Sequence, residues 1–283
     1  MREFYLKNKD GAIYNLTGLG FSEKLESLFY NISGLGFEVG GDFARLGSDY
    51  VRTSKFYAQK PISGTMFFAE PNSYKKYFEF NRYIERAPLK IIYKPGNSLG
   101  EFERDIEVTS LIKTEIGVNG LYCDIDFTPT SLVKKIVFAT SEKVASGGKQ
   151  YDYQYNYQYS DGANNSITFN VDSNLKSPLT LTIKGPCKNP EWRHYLNGKL
   201  VASGKVNVTV LPGAELIIDS NLPFSITELD SSGEFSVDVY QKSDFSTERF
   251  LFLEHGENII SANDEDGNVL NVTGKGYVTY ASV

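Results

Sequence analysis

The 283-residue chain is poor in the side chains that most often do chemistry: it has two cysteines, two histidines, two methionines and one tryptophan. Cys123 and Cys187 lie far apart and form no metal-ligand cluster. Two buried thiols in a reducing cytoplasm are expected, with a disulfide between them as the alternative. With only His194 and His255, no Ser/His/Asp grouping assembles, and no Gly-x-Ser-x-Gly is present. Gly18-Leu19-Gly20 and Gly34-Leu35-Gly36 complete neither a dinucleotide nor a P-loop fingerprint. Asp124 and Asp126 would share one strand face, where solvated acids are commoner than a glycosidase pair. No catalytic, cofactor-binding or metal-binding residue is nominated, and the expectation is a protein that is not an enzyme and needs no cofactor.

Long apolar runs are also missing. None approaches the roughly 18 residues that span a membrane, and the start, Met1 to Asp10, lacks the apolar core of a secretory signal. No membrane association is expected, and the chain is expected to fold in a cytoplasm. The net charge of −6 is unevenly spread. Up to Lys135, 18 Lys and Arg stand against 17 Asp and Glu, a net of +1; from Ile136 onward 11 stand against 18, a net of −7. Such asymmetry points to two domains, 1–135 and 136–283. Neither half has the basic excess of a sequence-reading nucleic-acid binder, so no specific nucleic-acid binding is expected.

Aromatic residues are plentiful, with 19 Tyr and 19 Phe, and these side chains fit pleated, half-buried surfaces. Asp10-Gly11 and Asn119-Gly120 sit between apolar runs and predict hairpins. One helix is expected from Asn72 or Ser73, either of which could cap it, to about Arg86, with Pro88 beyond its end. The region 128–148 reads as less regular. The second half carries short apolar runs at 167–171, 179–183, 199–201, 206–210, 216–218, 235–240 and 250–253. Asp161-Gly162, Asn197-Gly198, Pro212-Gly213, Ser232-Gly233 and Asp266-Gly267 punctuate them, which is the pattern of a β-sandwich.

Four segments ask for interpretation. In YDYQYNYQY, Tyr151, Tyr153, Tyr155, Tyr157 and Tyr159 would line one face of a strand. That stripe suits packing on another sheet or subunit, with sugar stacking as the alternative. Ala262–Val269 resembles a calcium loop, but the register of its carboxylates and Gly267 fails, leaving an Asp-Gly turn. Trp192, beside Pro186 and Pro190, is either core or a contact to a ligand or partner. Gly34 to Lys60 joins five glycines to Phe37, Phe43, Tyr50, Phe56 and Tyr57. Glycine makes such a loop costly to order alone, and water disfavours the rings. A subunit contact, with Arg45 and Arg52 reaching acids across it, resolves the conflict; the alternative is that these rings fill their own domain's core.

FYLKNKDGAIYNLTG, then SGLGFEVGGDFARLGSDYV (Ser33–Val51), ISGTMFF, YKKYFEFNRYIERAP, LKIIYKPG and Arg104–Pro129 resemble, in order, the N-terminal region of siphophage distal tail proteins. LTIKGPCKNPEWRHYLNGK and FSVDVYQKSDFSTERFLFL resemble the C-terminal domain common in that family. The resemblance implies a mainly β protein, with an N-terminal β-sandwich carrying one α-helix and a C-terminal galectin-like β-sandwich. It further implies a virion protein of a phage or prophage, assembled in the bacterial host cytoplasm as a homo-hexamer, in single or stacked rings. Such a ring joins the tail tube protein to the baseplate hub or tail-associated protein and to the host-adsorption apparatus, receptor-binding proteins included. A carbohydrate-binding or receptor-binding module recognising host glycans is the competing reading.

Overall fold

A computed structural model describes residues 2–17, 27–96, 100–117, 119–141 and 166–282. The tyrosine stripe 151–159 and the Asp161-Gly162 turn lie outside the described residues. The fold is mainly β with a single α-helix among the described residues. It divides into two compact units, one of Met1–Lys135 with Thr279–Val283, the other of Ile136–Val278.

In the first unit, β1 (Glu3–Lys7) and β2 (Ile13–Asn15) form a hairpin around Asp10-Gly11. Gly11 takes φ 78°, and the Asn8 side-chain oxygen accepts from the N–H groups of Asp10 and Ala12 at 3.1 and 3.0 Å. There follow β3 (Ser27–Ser33), β4 (Glu38–Gly40), β5 (Phe43–Leu46), β6 (Asp49–Arg52), β7 (Phe56–Ala58), β8 (Ile62–Ala69), the helix α1 (Ser73–Ile84), β9 (Leu89–Lys94), β10 (Phe102–Gly117), β11 (Gly120–Pro129) and β12 (Val133–Thr140), whose residues from Ile136 onward belong to the second unit. The strands pair antiparallel in the order β2-β1-β9-β10 and then β10-β11-β8-β3. Residues Phe102–Ile106 of β10 pair with β9, and Ile106–Gly117 pair with β11. Its register slips between Val108 and Ser110, as at a bulge, which bends a strand and increases its twist. One strand thus serves two stretches of sheet, and their inner faces meet in a ring cluster. Phe29 lies edge-on to Phe4 at 6.3 Å and to Phe127 at 5.6 Å.

The helix closes this core with Tyr77 and Phe80. Phe80 packs on Phe68 at 5.6 Å and on Tyr14 at 5.0 Å, while the Tyr83 hydroxyl reaches the carbonyls of Leu6 and Ala12. Neither expected cap operates. Asn72 sits in the left-handed region at φ 71° and makes no capping bond, and the Ser73 hydroxyl donates to Glu70 instead. Tertiary packing therefore holds this helix more than its terminus does. The region 128–148, expected to be less regular, contains β12.

In the second unit come β13 (Ile167–Val171), β14 (Ser177–Lys184), β15 (Cys187–Lys188), β16 (Glu191–Leu196), β17 (Lys199–Lys205), β18 (Thr209–Val210), β19 (Glu215–Asp219), β20 (Ser225–Leu229), β21 (Ser236–Asp238), β22 (Phe252–Leu253), β23 (Gly256–Asn263) and β24 (Val272–Tyr280). A four-stranded sheet runs β13-β23-β16-β17, and a second runs β24-β14-β19-β20-β21. They face one another: a Cβ on Gly274 of β24 would lie 2.6 Å from Ile167 and 2.8 Å from Phe169, both on β13. Trp192 is wholly buried, and its Nε1 donates to the Arg249 carbonyl at 2.9 Å, so it belongs to the core. The expected strands at 206–210 and 235–240 shrink to Thr209–Val210 and Ser236–Asp238. Asp264–Asn268 is a tight turn in which the Asp264 carboxylate accepts from the N–H groups of Asp266 and Asn268. Both cysteines are free and buried, and burial pushes each thiol up to about 11.

His194 is also buried, 3.0 Å from Asn258 Oδ1. The Asn258 amide already donates to the carbonyls of Glu254 and Gly256, so the imidazole must be the donor through Nε2. Burial lowers the His194 pKa below its ordinary 6.5. The unfolded chain then takes the proton first, so this contribution to stability is complete above about 6.5 and is lost as pH falls below it toward the lower folded-state pKa. The urea midpoint should therefore drop between pH 7 and pH 5, and His194→Gln, which can still donate to Asn258, should flatten the part of that drop lying near pH 6. An unchanged pH profile in the variant would discount this account.

Thr279–Val283 group with the first unit, where Tyr280 meets Phe102 edge-on at 5.6 Å. A chain ending at Lys135 should still give a β-type circular dichroism spectrum. It should be weaker by about 1 kcal/mol for the lost ring pair, and an unfolded spectrum would show that the first unit is not autonomous.

Candidate subunit interface in the hairpin arm

Residues 34–60 form no open loop. They fold into a two-tier antiparallel hairpin, β4 with β7 below and β5 with β6 above. The tip is a two-residue turn at Gly47-Ser48, and Gly47 takes φ 65°, as a II′ turn requires at its first position. Between the tiers, Asp42 replaces ladder bonds. Its carbonyl accepts from the N–H of Thr53 at 2.8 Å, and the Ser54 hydroxyl donates to its carboxylate at 2.7 Å. At Gly40 a Cβ would lie 2.4 Å from the Phe56 ring laid across it, so a larger residue there would have to displace that ring. At the foot, Gln59 Nε2 donates to the Pro129 carbonyl at 2.6 Å and ties the arm to β11. At roughly 3.3 Å per residue the arm can reach up to about 30 Å.

Its side chains lie largely in water. Phe37, Phe43, Tyr50 and Phe56 are exposed by half or more, so they do not fill their own unit's core. Tyr57 is half-buried, edge-on to Phe37 at 5.7 Å. The register puts Phe43 opposite Arg52 and Arg45 opposite Tyr50, so those four share one face. Arg52 lies over the Phe43 ring at 5.0 Å, and Arg45 Nε donates to the Gly47 carbonyl; neither guanidinium has an acidic partner among the described residues. The opposite face carries Ala44, Leu46 and Val51, and Leu46 is 72% exposed. Sequence reading missed Leu46 and Val51, although the period-two alternation about Gly47 would have found them.

The upper tier thus exposes two aromatic rings with two arginines on one face, and Ala44, Leu46 and Val51 with Asp49 on the other. A free hairpin is marginal in water, and this one is held by its foot, its ring-cation pairs and Asp42. Gly40→Val should push Phe56 aside and loosen the arm. Limited proteolysis should then cut between residues 38 and 58 faster, with the unit's melting temperature little changed; equal cutting would mean that Phe56 relocates without consequence.

Two mainly β units, one of them carrying an exposed hairpin arm, also occur in known proteins. Residues 3–130 match the family described as distal tail protein, N-terminal domain. A chain of the phage P2 baseplate in its activated conformation with Ca aligns over 100% of both chains at 15% identity and a TM-score of 0.64. The Dit (gp 19.1) protein of SPP1, described as a paradigm of the hub adsorption apparatus in phages infecting Gram-positive hosts, aligns over 96% of this chain and 98% of its own. That match has 9% identity and a TM-score of 0.62. At these identities the structural matches establish the fold. No curated protein is significantly similar in sequence. Residues 3–130 thus match the N-terminal domain of distal tail proteins, and the chain shares its fold with the two phage proteins over nearly its whole length.

Proposed function

We propose that the chain forms a closed hexameric ring at the distal end of a long non-contractile tail. The ring joins the tail tube protein to the baseplate hub and the host-adsorption apparatus, and the hairpin arm is its principal subunit contact. The exposed arm carries this reading. A ring needs a heterologous surface that closes by rotation, and an arm projecting from one side of a unit supplies one half of such a surface. Burying Phe43, Leu46, Tyr50 and Phe56 against a neighbour removes from water apolar area that a lone chain leaves exposed. No helix of the described residues is long and apolar enough to cross a membrane, which fits a particle component. As a conduit the ring should not grip duplex DNA, and the nearly neutral charge of residues 1–135 suits that role.

Phe43→Ser with Tyr50→Ser tests the arm. Both rings are exposed, so the monomer should lose no more than about 0.5 kcal/mol, while the assembled mass in light scattering should fall sharply. Assembly equal to the wild type, or outright unfolding, would remove the arm from the interface.

A second reading rests on a polar concavity of about 140 Å³ in the second unit, lined by Glu191, Arg193, Ser261, Asn263, Asp264 and Glu265. Such a surface could take a host sugar, although the one tryptophan is buried away from it. Saturable glycan-array binding that Arg193→Ala abolishes would favour this reading.

A further inference from the structure

Arg104 lies on β10 between Phe102 and Ile106, facing inward with them, and is only 8% exposed. Its Nε donates to the Ser131 carbonyl at 2.7 Å, and no carboxylate pairs with it among the described residues. The nearby acids are engaged elsewhere. Glu103 holds Lys90 at 2.6 Å, and Asp105 holds Lys90 at 3.4 Å and Lys134 at 3.2 Å, on the opposite face of the strand. A buried guanidinium without a counter-charge is costly, because burial removes most of its hydration and the Ser131 carbonyl answers only one of its N–H donors. Burial accordingly lowers its pKa.

This arginine lines an open cleft of about 310 Å³ at the foot of the arm. Tyr57 and Gln59 form one wall, and Pro129, Thr130 and Ser131 the other. An oxyanion there would meet a charged fork within a polar cleft, the arrangement that suits a carboxylate. Of the arm's own acids, Asp42 is bound by Ser54, and Glu38 stands at the foot opposite Ala58. Asp49 alone is at the tip, exposed and in no ion pair among the described residues.

We propose that the cleft around Arg104 receives the Asp49 carboxylate from the arm tip of a second copy of this chain. The inference rests on the ring reading above and deepens it: each copy offers a tip at one end and a cleft at the other, a head-to-tail contact that closes into a ring.

The test uses the full chain in a concentration series followed by analytical ultracentrifugation, with Arg104→Met, Asp49→Asn and the double variant. Methionine keeps the stem's apolar volume and removes the buried charge, so monomer melting should hold or rise. Each single change should move the assembly midpoint at least about tenfold higher, since leaving one partner of a buried pair alone is expensive. The double variant should be no worse than the worse single one, as for two residues that act through each other. Wild-type assembly with normal assembly of Arg104→Met or Asp49→Asn overturns the pairing and leaves the ring reading standing. Additive effects in the double variant, or unfolding of Arg104→Met, likewise overturn it. A wild type that stays monomeric at every concentration overturns both.

Discussion

The first unit depends on β10. A 16-residue strand that gives its first residues to β9 and the rest to β11 makes two stretches of sheet share one backbone. The register slip after Val108 lets that backbone bend, so Phe4, Phe29 and Phe127 can meet from different strands in one core. The arm inherits its position from the same strand. β11 pairs along β10 to Pro129, and Pro129 holds Gln59 at the arm's foot. Arg104 is also on β10, so the buried cation and the arm belong to one rigid frame.

A hairpin that projects from a core cannot draw on that core. The arm is ordered by short-range means: a glycine-led turn, Asp42 bridging its two strands, Phe56 lying on Gly40 and Arg52 lying on Phe43. Each is small, on the order of 0.5–1 kcal/mol for an exposed ring and cation. Pre-shaping still matters, because a segment already folded has less entropy left to lose on association than a free loop.

Local chemistry explains what was legible. Asp10-Gly11 and Asn119-Gly120 were readable as hairpins because their backbones tolerate turn conformations that few other residues adopt, and the pairing of β1 with β2 and of β10 with β11 follows. The helix was readable from its spaced aromatics, but its cap was not, since Asn72 adopts a left-handed backbone that sequence does not announce. β16 escaped notice because Glu191–Leu196 mixes charge with aromatics; Trp192 and His194 are the inward pair, and His194 bonds to Asn258, 64 positions away. β23 and β24 were hidden for a related reason: their inward positions include Asn258 and Ala262, and Gly274 and Gly276, which give little apolar signal to read. The exposure of the arm was anticipated from Phe43, Tyr50 and Phe56. Its regular pairing was not, because five glycines argued for a loop and only cross-strand contacts outweigh them.

The charges of the first unit fall into two kinds. Lys90, Glu103, Asp105 and Lys134 form a half-buried set in which each cation has an anion. In such pairs the attraction is set against the desolvation of both partners, and each charge is answered. Arg104 is the opposite case, one residue along the same strand: buried, charged and answered by a single carbonyl. A fold selected for monomer stability alone would place an apolar side chain between Phe102 and Ile106. Local rules are broken where a site does something the isolated chain does not need, and a buried cation beside an open cleft gains most when another chain brings the anion. The same logic covers the arm's rings. What the single chain leaves uncompensated, in charge at Arg104 and in apolar surface at Phe43, Leu46 and Tyr50, is what a neighbouring copy in a ring can supply.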